Sequence, residues 1–525
     1  MHYGAPILAL AALVAGLALA AAARIVLRHR HPRPMGPHPA TTALAPDPAA
    51  RIPAALSGGL AAHPGLNGIH MLIDPMDALA ARIEMAEAAD TSIDAQYYLW
   101  KSDTAGLLLL NALRAAARRG VRVRLLLDDN GTAGQDDMLA LLDAKENIEV
   151  RLFNPFPMRR ARVLGYLSDF ARLNRRMHNK AMIFDGTVTI LGGRNIGDDY
   201  YSTLSGNFFM DMDIAAAGPV VADVAAQFDT YWNAAPAIPA RAILRPVAPS
   251  RAQALSEAEA TLLSRPEARA YHAALRETSF AGRLLRGEIP LKWCKATLIS
   301  DPPEKVHGRA HARDMLWRYL RRSLGRPETE LLLISPYLVP TRSGAMALRR
   351  FARGGVRVRI LTNSFASTDV GIVHAGYAHW RRPLLRAGVE LYEYTPDATA
   401  GRAHPDLLGK RIKGTSPFSR NKLHAKVFVV DRRRVFIGSF NFDPRSLRLN
   451  TELGVVIDSE AVAGEIVEGF LREVPRNAWR LSLTRTLRLR WTRPGMPPLT
   501  REPQTSWPQR AFVVIASWLP IEWML

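Results

Sequence analysis

The alternation of apolar and polar positions describes one supersecondary unit, used twice. Residues 93–99 read as a strand, and residues 105–118 place apolar side chains at helical spacing. A turn at Gly120 follows, then a second strand over 121–127. The same order returns with residues 334–340, the helical run 344–353, Gly355 and the strand 356–361. Each copy predicts a right-handed strand, helix, strand unit with parallel strands. The two Gly-Val-Arg-Val-Arg stretches lie 235 residues apart, so the chain reads as two similar halves.

Downstream of each unit comes a strand pair. Residues 180–184 and 187–191 flank Asp185-Gly186, a hairpin turn dipeptide, and residues 426–430 and 435–437 flank Asp431 to Arg434. The pairs carry the strongest signal in the chain. His178, Lys180, Asp185, Gly192 and Asn195 recur at identical offsets as His424, Lys426, Asp431, Gly438 and Asn441, with Ser439 where the first copy has Gly193. Histidine and lysine at i and i+2 of a strand point to one face, as two groups gripping one phosphate require.

The rest of the chain divides by composition. Residues 5–23 are uncharged and apolar, near the ~20 residues of a spanning helix. Arginines follow that run and none precedes it, so residues 1–30 are expected to be an uncleaved anchor with the catalytic body on the cytoplasmic side. Residues 31–65, rich in Pro and Ala, read as a tether. The expected domains are 66–245 and 291–475, joined by a polar helical connection over 246–290 and followed by a basic and apolar tail over 476–525. Within the tail, residues 511–525 are too short to span and predict either an interfacial segment or a terminus packed on the core.

Charge narrows the partners. The net charge is +21, and ten of those charges flank the two apolar ends: +4 before residue 38 and +6 over residues 476–525. Cations beside apolar anchors suit an anionic bilayer surface, at roughly 1 kcal/mol per nearby Lys or Arg. A nucleic-acid binder more typically gathers them on one folded face, so no nucleic-acid partner is expected. Cys294 is the only cysteine, which excludes a disulfide framework and a thiolate metal cluster.

The paired motifs suggest phosphodiester chemistry. Lys180 and Lys426 can neutralise charge on non-bridging oxygens, with Asn195, Asn441 and Ser439 as further donors. Two lysines can stand in for a metal ion, and no metal or other cofactor is expected. One histidine can attack phosphorus while the other moves the proton. Each needs a carboxylate to fix its tautomer, and Asp213 and Glu452 stand at similar strand positions after each Gly-x-x-Asn. Asp185 and Asp431, at the turns, are better placed to brace the hairpins than to touch substrate.

With two H-x-K-x4-D motifs, the chain resembles the phospholipase D superfamily. The stretches I-D-A-Q-Y-Y-L-W, S-T-D-V-G-I-V-H-A-G-Y and N-R-R-M-H-N-K, with the ending W-L-P-I-E-W-M-L, resemble bacterial cardiolipin synthases of the C type. The resemblance covers about residues 60–525. It implies an α/β fold of two phospholipase D-like α/β/α sandwich domains related by a pseudo-two-fold axis, to which the hydropathy of residues 5–23 adds an N-terminal transmembrane helix. It implies a catalytic set of His178, Lys180, Asp185, His424, Lys426 and Asp431, with His178 as nucleophile and His424 as general acid and base. Asn195, Ser439, Asn441, Asp213 and Glu452 would support substrate and histidines. The implied reaction moves a phosphatidyl group to phosphatidylglycerol, with phosphatidylethanolamine as a plausible donor, at the bacterial inner membrane. Whether an accessory membrane protein takes part is open. Rival readings are a hydrolytic phospholipase D, a nuclease of the same superfamily and a non-enzymatic membrane scaffold. Tyr97, Tyr98 and Trp100 suit either a lipid channel or the core, and Asp369, His374 and Tyr377 suit substrate contact. Gly193 departs from the serine of many members.

Overall fold

The computed structural model describes residues 40–201, 207–368, 370–395 and 420–517. The first half supplies strands β1 (Asn67–Leu72), β2 (Ser92–Leu99), β3 (Arg122–Gly131), β4 (Ile148–Phe153), β5 (Ala181–Phe184), β6 (Val188–Gly192), β7 (Asn207–Met210), β8 (Asp213–Ala217) and β9 (Ala237–Pro239). The second supplies β10 (Lys292–Ser300), β11 (Glu330–Ile334), β12 (Arg357–Asn363), β13 (Glu390–Tyr394), β14 (Arg420–Leu423), β15 (Val427–Val430), β16 (Arg434–Gly438), β17 (Leu453–Asp458), β18 (Ala478–Leu483) and β19 (Leu489–Thr492).

Pairing reveals the duplication. The first half runs β1-β8-β6-β5-β2-β3-β4-β9, and the second runs β10-β17-β16-β15-β11-β12-β13-β18 with β19 added at the edge. β1 and β10 pair antiparallel and join the halves, so among the described residues seventeen strands form one sheet. In each half the three central strands are parallel and the HKD hairpin lies beside them.

Helices cover both faces. Pro75–Ala88 and Thr104–Arg118 pack outside the first half, with Leu79, Met85, Leu109 and Leu113 in its core. Pro219–Trp232 and Glu460–Asn477 lie between the halves, where Phe228, Trp232, Ile466 and Phe470 share a core with strands of both halves. This shared apolar layer holds the halves in fixed register.

Several expectations shift. The strand expected over 334–340 ends at Ile334, because Pro336 and Pro340 remove ladder donors. The tether is partly folded: helix Arg51–Ala62 buries Ile52, Pro53 and Leu56, and Thr41 accepts from the Trp232 indole at 2.8 Å. Residues 1–39 lie outside the described residues, and so does the expected anchor. Among the described residues no helix is long and apolar enough to cross a membrane. Three helices, Pro249–Leu263, Pro266–Arg276 and Phe280–Leu285, occupy the connection between the halves.

Candidate active site

Each HKD hairpin begins where its partner half touches it. His178 N donates to Thr451 O at 2.9 Å, and Thr451 N returns a bond to Arg176 O. In the other half β14 pairs parallel with β7, and His424 N donates to Met210 O at 2.8 Å. Residues 178–180 and 424–426 thus sit at the seam, just before β5 and β15, rather than inside a ladder. A side chain at the end of a central parallel strand braces each entry. Asp128 accepts from Met177 N at 2.7 Å and from Arg176 Nε at 2.8 Å, while Asn363 exchanges two bonds with Leu423.

The crossed backbone carries crossed side-chain pairs. His178 Nδ1 lies 2.9 Å from Glu452 Oε2, and His424 Nδ1 lies 2.5 Å from Asp211 Oδ2. Each histidine is therefore oriented by a carboxylate of the other half. Such a bond fixes Nδ1–H and leaves Nε2 as the reactive nitrogen.

Asp213, expected to orient a histidine, does not. It is fully buried between Arg82 (2.8 Å) and Arg194 (3.3 Å). The physical reason is register. Gly192 faces Asp213 and Gly438 faces Gly454, so Glu452 corresponds to Asp211, two residues before Asp213. The strand β7 lengthens the first half between Gly192 and this carboxylate, and that insertion hides the correspondence in the sequence.

Gly193 acquires a cause in the same place. A Cβ there would sit 2.1 Å from Asp211 Oδ1. In the second half the longer Glu452 leaves room for Ser439, whose Oγ donates to Glu452 Oε2 at 2.5 Å. Glycine with aspartate, and serine with glutamate, are two solutions to one packing problem.

Both lysines are buried at 1% exposure, and their ammonium groups donate to the carbonyls of His178 (2.7 Å) and His424. Burial pushes the Lys180 ammonium down to about 7. It pushes the His178 imidazole down to about 4, with Glu452 opposing and Lys180 assisting. Burial and Lys426 lower His424 as well. Burial works against ionisation of Asp211 and Glu452. The Lys426 and His424 charges nonetheless hold Asp211 well below the ordinary carboxylate range, and the His178 pair holds Glu452 down. The resting site thus offers a neutral His178 imidazole between cations and carboxylates.

The remaining expected residues divide. Asn195 donates to the Tyr200 hydroxyl at 2.7 Å, and Asn441 lies beside the seam; the amide oxygens of both are buried without a partner. Asp185 and Asp431 do not belong to the reacting set named by the motif. They accept from backbone N–H groups of 90–92 and 328–330 respectively, bracing the approach to β2 and β11. Both take left-handed backbone (φ 48° and 52°), which the tight turns require. Tyr98 lies edge-on to His178 at 5.2 Å, whereas Tyr97 and Trp100 are core residues bonded to Arg82 and Gly106 O. Tyr200 and Phe209, which sequence reasoning passed over, pack on His424 at 5.3 and 5.1 Å.

His374 does not face the site. It is buried against Glu502 (2.7 Å) and Arg381 (2.7 Å), and Arg381 also pairs with Glu393. Tyr377 is buried under Arg381, and Asp369 lies outside the described residues. Burial raises the Cys294 thiol to about 11, as an inert core cysteine requires.

The family model "Cardiolipin synthase, PLD-like domain" matches residues 81–232 and 320–474, one match per half. Cardiolipin synthase C of Escherichia coli (strain K12) is 47% identical over 466 residues, 88% of this chain and 97% of that protein. Cardiolipin synthase B of the same organism is 25% identical over 74% of this chain and 76% of its own length. Among solved structures, a phosphatidylserine synthase from Haemophilus influenzae superposes with a TM-score of 0.56 at 14% identity, over 90% of this chain and all of that one, which shows a shared fold. With one H-x-K-x4-D motif in each matched half, the chain belongs to the cardiolipin synthase family of phospholipase D-like proteins.

Proposed function

We propose that this enzyme is a phosphatidyltransferase that makes cardiolipin by transphosphatidylation. The observation that carries the reading is the pair of crossed histidine–carboxylate bonds, which leaves two Nε2 atoms for a single phosphodiester. The family membership and the 47% identity to a cardiolipin synthase support the same reaction.

The neutral His178 Nε2 attacks phosphorus of the donor lipid. The bond to the headgroup oxygen breaks, and His424, doubly protonated against the Asp211 carboxylate, passes its Nε2 proton to that oxygen. A phosphatidyl group is then held on His178. The hydroxyl of phosphatidylglycerol gives its proton to His424 and attacks phosphorus, the P–N bond breaks, and cardiolipin leaves. Lys180 and Lys426 neutralise the non-bridging oxygens throughout, with Ser439 holding Glu452. Burial lowers the proton affinity of His178 and keeps its imidazole neutral, as a nucleophile requires. Asn441 and Asn195 complete the donor set, and Asp185 and Asp431 act as braces.

Phosphatidylethanolamine is the donor in this reading, and the reaction takes place at the bacterial inner membrane. Residues 1–30 anchor the chain, with the body on the cytoplasmic side by the distribution of arginines. Helix Trp507–Ala516 supports an interfacial tail: Val513 and Ala516 pack on the second half, while Trp507, Phe512, Val514 and Ile515 stay exposed. Trapping tests the covalent step. Labelled donor lipid and acid quenching should leave label on the protein, and His178→Ala should remove it. Label retained in that variant would move the nucleophile elsewhere.

A further inference from the structure

Helix Arg162–Leu173 has its apolar side chains on the outside. Its buried positions include the small residues Gly165 and Ser168, which let it lie close to Phe156. Its outward positions are Val163, Leu164, Leu167 and Phe170, exposed by 75, 50, 73 and 47%. The backbone bends at Asp169 (φ −147°), yet all four side chains remain outside. Four large apolar groups on twelve residues form a patch rather than a scatter, and such patches mark contact surfaces.

Charge surrounds the patch. Residues 159–176 hold six arginines, of which Arg159, Arg162, Arg172 and Arg176 pair with Asp129, Asp169 and Asp128, and Arg160 and Arg175 stand at the two ends. Arg160 is exposed at one end, and at the other Arg175 lies against Gly308, in a loop that presents exposed Arg309 and Arg313. Apolar side chains ringed by cations match an anionic bilayer, where acyl chains take the first and headgroup phosphates the second.

The helix also borders the chemistry. Tyr166 donates to Asn130 Oδ1 at 3.2 Å, Asn130 donates to the Tyr98 hydroxyl at 2.9 Å, and the Tyr98 ring touches His178. Four residues separate its last residue, Leu173, from His178.

We propose that helix Arg162–Leu173 is a membrane-docking element, which inserts Val163, Leu164, Leu167 and Phe170 among the acyl chains of an anionic bilayer. The inference rests on the reading of the site as one that acts on bilayer phospholipids. Docked in this way, the rim beside His178 lies at headgroup level, so a lipid phosphodiester reaches the histidines without leaving the bilayer.

The single buried cysteine makes the test direct. In a Cys294→Ala parent, Leu167→Cys and Val163→Cys are each labelled with an environment-sensitive fluorophore, as is Ser57→Cys on an exposed polar position. The full-length proteins are reconstituted into vesicles of phosphatidylcholine and phosphatidylglycerol with or without a lipid-borne quencher. The labels at 163 and 167 should be quenched several-fold more than the label at 57. Equal quenching at all three positions overturns the proposal. So does no quenching at 163 and 167, the outcome if another protein surface covers the helix. The unlabelled parent is assayed for phosphatidyl transfer in the same vesicles. Transfer without selective quenching removes the docking helix and leaves the enzyme; selective quenching without transfer does the reverse.

Discussion

His178 and Glu452 are 274 residues apart in the chain, yet Nδ1 and Oε2 meet at 2.9 Å across the seam between the halves. The reciprocal bond joins His424 to Asp211. Neither half holds a complete histidine–carboxylate pair, so duplication alone does not make two sites. It makes one site that exists only when both halves are docked.

Asp211→Asn and Glu452→Gln should each lower turnover on the order of 10²- to 10⁴-fold, the cost of a wrong tautomer in comparable pairs. Asp213→Asn should differ in kind. It strands the buried Arg82 and Arg194 charges, at about 3–5 kcal/mol of stability. Thermal unfolding beside initial rates separates the two classes. A stable, inactive Asp213→Asn beside an active Asp211→Asn would reverse the assignment.

Gly193→Ser should abolish activity, because its Cβ occupies the space of the Asp211 carboxylate. Adding Asp211→Glu gives the first half the chemistry of the second and should recover part of the rate. Rates of the single and double variants decide the matter. An active single variant would show that Asp211 has room to move.

Proton affinities give a pH profile for kcat/KM, which reports on the free enzyme. Lys180, held near 7, loses its charge as pH rises, so kcat/KM should fall above about pH 7. Stability should move the other way. The unfolded lysine keeps its proton up to about 10.5 while the folded one does not, so stability rises with pH between about 7 and 10.5. Lys180→Met should therefore be inactive but more heat-stable than the parent at pH 7. A rate that stays flat to pH 9, or a less stable variant, would contradict this account.

Glu502 is held well below the ordinary carboxylate range; burial opposes its charge, but Arg381 and His374 outweigh it. Its contribution is present above its unfolded value and is lost as pH falls through the folded one. Glu502→Gln should cost about 3–5 kcal/mol by leaving Arg381 half-paired, and should expose helix Trp507–Ala516 to proteolysis. Digestion time courses of variant and parent, with unchanged patterns as the contrary result, test this clasp.

The sequence made the repeat, the strand and helix order and the HKD residues legible, because apolar periodicity and identical offsets are local signals. The crossing of the pairs is not local, and it became visible only with the seam contacts at Thr451 and Met210. Asp213 misled for a related reason. Asp211 lies just before β8 and Asp213 begins it, two residues on, and only the ladder register distinguishes them. His374 misled because its neighbours, Arg381 and Glu502, come from a later helix and from the tail.

The central claim is that an alcohol on a second lipid accepts the phosphatidyl group. Membranes bearing the enzyme are incubated with labelled phosphatidylglycerol, with and without phosphatidylethanolamine, and the lipids are resolved. The predicted result is labelled cardiolipin that requires His178 and His424 and increases with phosphatidylethanolamine. Phosphatidic acid without cardiolipin would contradict the account and make water the acceptor.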